Sequence, residues 1–108
     1  MPISEGSEQQ RVFNERLEAC RARIDAVDLR LLELLSERTS VVEEIGRIKS
    51  EAQLPVYEPR REDQVFANVT GHNRGPLPDD ALRRIFERII DEMRTVQRNK
   101  MEPRREKC

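Results

Sequence analysis

The feature that most constrains this chain is a stretch, residues 10–51, that contains no proline and in which apolar side chains recur with helical spacing. Gly46 is the only residue in it that weakens a helix interior. Written as heptads, the stretch has a seam of ten positions, of which nine are apolar and the tenth is Arg38. The seam consists of Leu17, Cys20, Ile24, Val27, Leu31, Leu34, Arg38, Val41, Ile45 and Ile48. The pattern predicts one helix of about 40 residues.

A helix of that length cannot be covered by the rest of a 108-residue chain. It would be about 60 Å long, whereas a compact domain of about 100 residues has a radius of gyration of about 13 Å. A second copy is the simplest cover, because two long helices can bury each other's seams in an isologous dimer. The sequence therefore predicts a homodimer.

Two shorter helices follow the long one. Pro59 is well placed as the first residue of a second helix, which ends near Gly71. A third helix opens near Asp79 and carries an apolar stripe on which Gln97 is the next position. The predicted fold class is all-α, with three helices per chain, one of them very long, in an intertwined helical homodimer.

The chain has room for one domain. We expect a flexible N-terminal tail at residues 1–10, a helical domain at residues 11–100 and a flexible C-terminal tail at residues 101–108. In that last tail, Arg104 and Arg105 offer a docking point for a pathway-enzyme partner, and a disordered end is the alternative interpretation.

Composition argues against several functional classes. The net charge of −1 argues against a nucleic-acid surface, and no apolar run is long enough for a membrane span or a signal segment. Cys20 and Cys108 have no metal-ligand spacing and imply no disulfide framework, so a reducing, cytoplasmic location is expected. With a single histidine, no metal-ligand cluster and no Gly-rich phosphate loop, the sequence predicts no metal site.

Three basic residues lie on or beside the seam. Arg38 and Lys49 are 11 residues apart and project from nearly the same face, about 16 Å along the axis. Arg21 is too distant from Lys49 of its own chain, about 42 Å, but an antiparallel partner could deliver it there. The alternatives are a register-fixing arginine, a solvated helix-end lysine and a flanking coiled-coil charge.

Further polar candidates lie on the second and third helices. Glu58, Arg61 and Glu62 surround the start of the second helix, where carboxylates also simply favour the helix dipole. Gln97 extends an apolar stripe, and its alternative role is that of a hydrogen-bonded polar neighbour.

These residues belong to runs that resemble the all-helical (AroQ-type) chorismate mutases. The runs are RARIDAVD at residues 21–28, LLELLSER at 31–38, EIGRIK at 44–49, PVYEPRRE at 55–62 and IFERII at 85–90, continuing to Gln97. The resemblance covers residues 14 to 100. It implies an intertwined homodimer with two shared active sites, and the Claisen rearrangement of chorismate to prephenate in phenylalanine and tyrosine biosynthesis, without a cofactor.

The resemblance also implies a role for each candidate residue. Arg21 crosses from the partner to bind one substrate carboxylate, Arg38 binds the other, and Arg61 supports the charge balance. Lys49 and Gln97 donate to the ether oxygen, while Glu62 accepts from the ring hydroxyl with Glu58 nearby. At Met93 the chain departs from members that carry a serine to help hold the substrate, which puts that contact in doubt.

Two competing hypotheses remain at the level of sequence. The first keeps the fold and changes the substrate, to isochorismate in a pyruvate lyase or to an amino analogue of chorismate. The second is a non-catalytic helical dimer that acts as an interaction module, in which Arg38 only sets the register.

Overall fold

The chain folds into three α-helices in a computed structural model that describes the backbone of residues 2–101 and the side chains of residues 6–101. Helix α1 spans Pro2–Ala52, α2 spans Pro59–His72 and α3 spans Asp79–Met101. Within the described backbone there is no strand, and none of the helices described is both long and apolar enough to cross a membrane. The all-α prediction, with its very long first helix, is confirmed.

The ends of the helices differ from the expected boundaries in one place. Helix α1 begins at Pro2 rather than near Gln10, so residues 2–10 continue the helix where a separate tail was expected. This segment has no proline after its first residue, but it contains Gly6 and little apolar periodicity, which is why the pattern missed it. Of the expected C-terminal tail, only Met101 is described, and it ends α3.

Helix α1 contributes to two structural units, the first ending at Glu37 and the second beginning at Arg38. In the first unit every described side chain except that of Leu35 is exposed. Its part of the seam is left uncovered within one chain, with exposed fractions of 49% for Leu17, 58% for Ile24, 49% for Val27, 49% for Leu31 and 62% for Leu34. An apolar row of this length on a water-facing helix is typical of a surface that binds another protein.

The second unit contains the small core. Val42 on α1 and Ile90 and Met93 on α3 are its buried apolar side chains. The buried face of α1 in this unit continues through Gly46 and Lys49, whereas the seam residues Val41, Ile45 and Ile48 are 52%, 37% and 53% exposed. In this unit α1 therefore has two faces, one packed inside the chain and the seam face left open.

Gly46 allows the last turns of α1 to approach α3 closely. A Cβ atom at this position would lie 3.3 Å from the carbonyl oxygen of Gln97 and 3.4 Å from the Cβ of Lys100. Because a backbone carbonyl in a helix has little freedom to move, a larger side chain here would push the two helices apart. The glycine thus allows a close contact between α1 and α3 one turn before Lys49.

The connection between α2 and α3 is held by Asn73. Its Nδ2 atom donates to the carbonyl oxygen of Leu77 at 2.8 Å and to Oδ1 of Asp79 at 2.7 Å, and its Oδ1 accepts from the amide of Gly75 at 3.0 Å. These bonds fix the turn at the start of α3.

We expect Gly46→Leu to lower the free energy of unfolding by about 2 kcal/mol or more, because the new side chain has no space between the two helices. Gly71→Leu is the matched control, since nothing lies within 4 Å of a Cβ there. Urea unfolding at one protein concentration measures both. Equal effects of the two changes would contradict the importance of this helix approach.

Candidate active site

Lys49 places a buried ammonium group between α1 and the link that follows it. Its side chain is 7% exposed, and its Nζ atom donates to the carbonyl oxygen of Val56 at 3.0 Å and pairs with Oε1 of Glu58 at 2.6 Å. These contacts offset the desolvation of the charge. An ammonium has three N–H donors, and the two contacts use two of them, so one donor is left for a ligand.

Glu58 reaches Lys49 instead of capping the helix that it precedes. It is the N-cap residue of α2, but its side chain makes no capping hydrogen bond, and Pro59 occupies the first turn. The carboxylate is therefore more than a first-turn charge that favours the helix dipole. It is the anion that compensates the buried ammonium.

Gln97 presents an unsatisfied polar atom on the facing helix. The residue is 8% exposed, and its Oε1 is a buried side-chain atom that has no hydrogen-bond partner among the residues the structure describes. An unmet buried group of this kind costs about 1–3 kcal/mol. Rotation of the terminal amide exchanges its oxygen and nitrogen, so the same position can offer a ligand either an acceptor or a donor.

Two guanidinium groups raise the positive charge of the same unit. The pKa of Arg38 is lowered below its usual value, mainly by burial and to a smaller extent by the charge of Arg61. Neither side chain forms an ion pair with a carboxylate within the described part of the chain, and Arg61 only donates weakly to Gln64 at 3.4 Å. Like charges that lack a counter-ion favour the binding of an anion between them.

Glu62 is held by Arg94, a residue that the sequence analysis did not single out. Nε of Arg94 donates to Oε2 of Glu62 at 2.8 Å and its second terminal nitrogen to Oε1 at 2.7 Å. The hydrogen bond to Glu62 is the main cause that raises the pKa of Arg94. The guanidinium also donates to Asp91 at 2.9 Å and lies 5.4 Å from the centre of the Tyr57 ring.

Arg94 was missed because its partner is 32 positions away along the chain. The only signal in the sequence was its place on α3, three residues before Gln97 and so on a neighbouring part of the same helix surface. Spacing within one helix cannot predict which distant acid an arginine will meet.

Met93 packs in the core beside these groups. It is 9% exposed, and its sulfur accepts a hydrogen bond from Oγ1 of Thr39 at 3.6 Å.

Arg21 lies in the first unit, where it pairs with Glu18 at 2.8 Å and is largely exposed. The second unit therefore contains every predicted site residue except Arg21.

The same residues lie in the part of the chain that known proteins share. The family described as Chorismate mutase type II has a sequence model that matches residues 20–98. The chain belongs to this family. It is 40% identical to chorismate mutase (form II) from Thermus thermophilus, with a TM-score of 0.75 over 77% of this chain and 94% of that one.

Two further comparisons extend the family assignment. The crystal structure of chorismate mutase from Helicobacter pylori in complex with prephenate is 29% identical, with a TM-score of 0.74 over 80% of this chain and 93% of that one. The bifunctional chorismate mutase/prephenate dehydratase of Aquifex aeolicus is 39% identical over 70% of this chain. The chain spans 22% of the length of that curated relative.

We expect a small dicarboxylate such as succinate to raise the melting temperature, and Arg61→Gln to reduce that rise. If the substitution makes the dissociation constant tenfold larger, it removes about 1.4 kcal/mol of the stabilisation that the ligand provides. Without ligand, Arg61→Gln should change stability by less than about 1 kcal/mol, because the side chain is exposed.

Arg60→Gln is the matched control, an exposed neighbour with the same change of charge. Thermal unfolding with and without succinate compares the three proteins. The same loss of stabilisation in both variants would indicate a general charge effect and would contradict an anion site at Arg38 and Arg61.

Proposed function

We propose that this chain catalyses the rearrangement of chorismate to prephenate. The observation that carries the proposal is a buried ammonium, Lys49, on α1 and a buried amide, Gln97, on α3, whose oxygen has no hydrogen-bond partner among the described residues. The two helices approach each other closely at Gly46. Family membership supports it, and so does the prephenate bound to the relative from Helicobacter pylori.

The reaction matches the groups available. The rearrangement breaks a C–O bond and forms a C–C bond in one cyclic shift of electrons, so it needs no proton transfer and no nucleophile. What it needs is a folded substrate and donors near the departing oxygen. Holding a flexible substrate in a reactive shape lowers the barrier by an entropic contribution.

The guanidinium groups would hold the two substrate carboxylates. Arg38 binds one carboxylate with Arg61 supporting the charge balance, and Arg21 of a partner chain binds the other. Because arginine makes two parallel hydrogen bonds to a carboxylate, each contact restrains direction as well as distance. A dianion would also offset the two effects that lower the pKa of Arg38, its burial first and the charge of Arg61 second.

Lys49 and Gln97 would act on the ether oxygen. Negative charge grows there as the C–O bond breaks, so the remaining donor of Lys49 and the amide NH₂ of Gln97 bind the transition state more strongly than the substrate. Glu58 keeps the ammonium oriented through its 2.6 Å contact. Their burial strengthens these interactions, since little water screens them.

Glu62 and Met93 would contact the ring of the substrate. Glu62 would accept a hydrogen bond from the ring hydroxyl, because a neutral alcohol donates readily to a carboxylate. Met93 is an apolar wall, because its sulfur already accepts from Thr39. The polar contact with the substrate that a serine would make at the position of Met93 would be absent in this protein.

A homodimer would complete the site. The exposed seam on the first unit supports this, since residues such as Ile24 and Leu31 are 58% and 49% exposed in a single chain. A partner helix would cover the seam and bring its own Arg21 to the site. The non-catalytic dimer explains the seam but leaves the burial of Lys49 and Gln97 without a reason.

We expect Lys49→Ala and Gln97→Ala to lower the turnover number by about 10²-fold or more, because each removes a donor to the developing charge. Chorismate absorbance follows the rate, and chromatography identifies the product. Lys100→Ala, an exposed lysine on α3, should remain near wild type.

Native mass and melting temperature control for folding in these variants. Turnover near wild type in either Lys49→Ala or Gln97→Ala would exclude that residue from the electrostatic role. A product other than prephenate would favour the lyase hypothesis.

We expect a mixture of Arg21→Ala and Lys49→Ala chains to regain activity that each lacks alone. If each site takes Arg21 from one chain and Lys49 from the other, a heterodimer has one intact site, and random exchange gives roughly a quarter of wild-type activity. Kinetics after denaturation and refolding of the mixture measures this. No recovery, with heterodimers demonstrated by native mass spectrometry, would rule out shared sites.

A further inference from the structure

We propose that Arg94 is a positioning residue that orients the carboxylate of Glu62. The Glu62–Arg94 pair would then select a ligand with a neutral hydroxyl over one with an ammonium. The inference rests on the proposed function, because it assigns Glu62 to the ring substituent. It concerns the choice between chorismate and the analogue that carries an amino group in place of that hydroxyl.

The geometry of the pair leaves Glu62 able to bind a ligand. Arg94 takes one hydrogen bond on each carboxylate oxygen, at 2.8 and 2.7 Å. Each oxygen of a carboxylate has two acceptor positions, so one remains on either oxygen. The bidentate contact leaves the carboxylate plane little freedom to rotate, which aims the remaining positions in fixed directions.

Arg94 is itself held from two further sides. Asp91, one turn earlier on α3, accepts from it at 2.9 Å, and the Tyr57 ring lies 5.4 Å from it. The side chains of Arg94 and Glu62 are 29% and 21% exposed. A pair that is restrained and partly buried defines a direction better than a solvated surface pair does.

The charge of Arg94 changes what Glu62 can accept. An isolated glutamate would attract an ammonium more strongly than a hydroxyl, because the ammonium adds a Coulomb attraction. With a guanidinium bonded to both oxygens, that charge is already compensated, and a ligand cation would lie close to a like charge. A hydroxyl needs only an acceptor and has no such penalty.

Other charges near Glu62 either also disfavour a ligand ammonium or have only a weak effect on it. Arg61, the adjacent residue on α2, adds positive charge. Asp91 on α3 is 60% exposed and already bonded to Arg94, so its attraction for a ligand cation is screened. Glu58, in the link before α2, is paired with Lys49.

A purely structural role is the alternative, in which Arg94 only ties α2 to α3. Loss of a structural contact would slow the reaction of both substrates by the same factor. Loss of a charge that selects the ring substituent would change their ratio. The ratio of the two specificity constants therefore distinguishes the roles.

The test compares Arg94→Gln, Arg94→Met and Arg94→Lys with the wild-type dimer, using chorismate and its amino analogue. We expect Arg94→Gln to lower kcat/KM for chorismate about tenfold and to raise the amino-to-hydroxyl ratio about tenfold or more. Arg94→Lys keeps the charge but loses the bidentate geometry, so it should lower the rate and retain the wild-type ratio.

Arg88→Gln is the matched control. Arg88 is an exposed arginine on the same helix, paired with Glu92 at 2.6 Å, and its replacement should leave both constants unchanged. A wild-type ratio in both Arg94→Gln and Arg94→Met would overturn the inference. If Arg94→Gln does not fold, the amino-to-hydroxyl ratio is measured in Arg94→Met, whose side chain is of similar length and has no charge.

Failure of the proposed function can be recognised separately. If the wild-type protein does not convert chorismate, calorimetric dissociation constants for the two ligands replace the rates. The Arg94 inference then still requires that Arg94→Gln shift binding toward the amino ligand about tenfold, and an unchanged binding ratio overturns it.

Discussion

The burial of one ammonium group, that of Lys49, organises the second unit of this protein. A charge removed from water must be paired, and the acid that pairs with it, Glu58, lies in the link before α2. This contact, with the bond to the carbonyl of Val56, holds the link against the end of α1. One turn before Lys49, Gly46 allows the close approach of α1 to α3.

The polar groups of the site are satisfied to different degrees. Lys49 and Glu62 each form an ion pair with a residue of the same chain. The buried oxygen of Gln97 has no hydrogen-bond partner among the described residues, and Arg38 lies near the positive charge of Arg61. Groups left unsatisfied in the free protein reduce its stability, and a ligand that satisfies them recovers this free energy on binding. With the Gln97 amide rotated so that its NH₂ group faces the ligand, a dianion with an ether oxygen would have the complementary groups.

Much of the fold followed from the pattern of residues. The long breaker-free stretch predicted α1, and the position of Pro59 predicted the start of α2, because these depend on local backbone preferences. The division of α1 into two faces did not follow. Val42 is buried, whereas the seam residue Val41 is 52% exposed, although the two valines are adjacent in the same apolar stretch. Packing inside the chain distinguishes them.

The sequence by itself determined which groups are available to the site: a lysine and an arginine 11 residues apart on one helix, acids at the start of the next, and a glutamine on an apolar stripe. It also determined the family, since those runs are specific. Only the tertiary structure decided the pairings, namely Glu58 with Lys49 and Glu62 with Arg94. Helical periodicity relates residues within one helix, whereas an ion pair between helices depends on their relative placement in space.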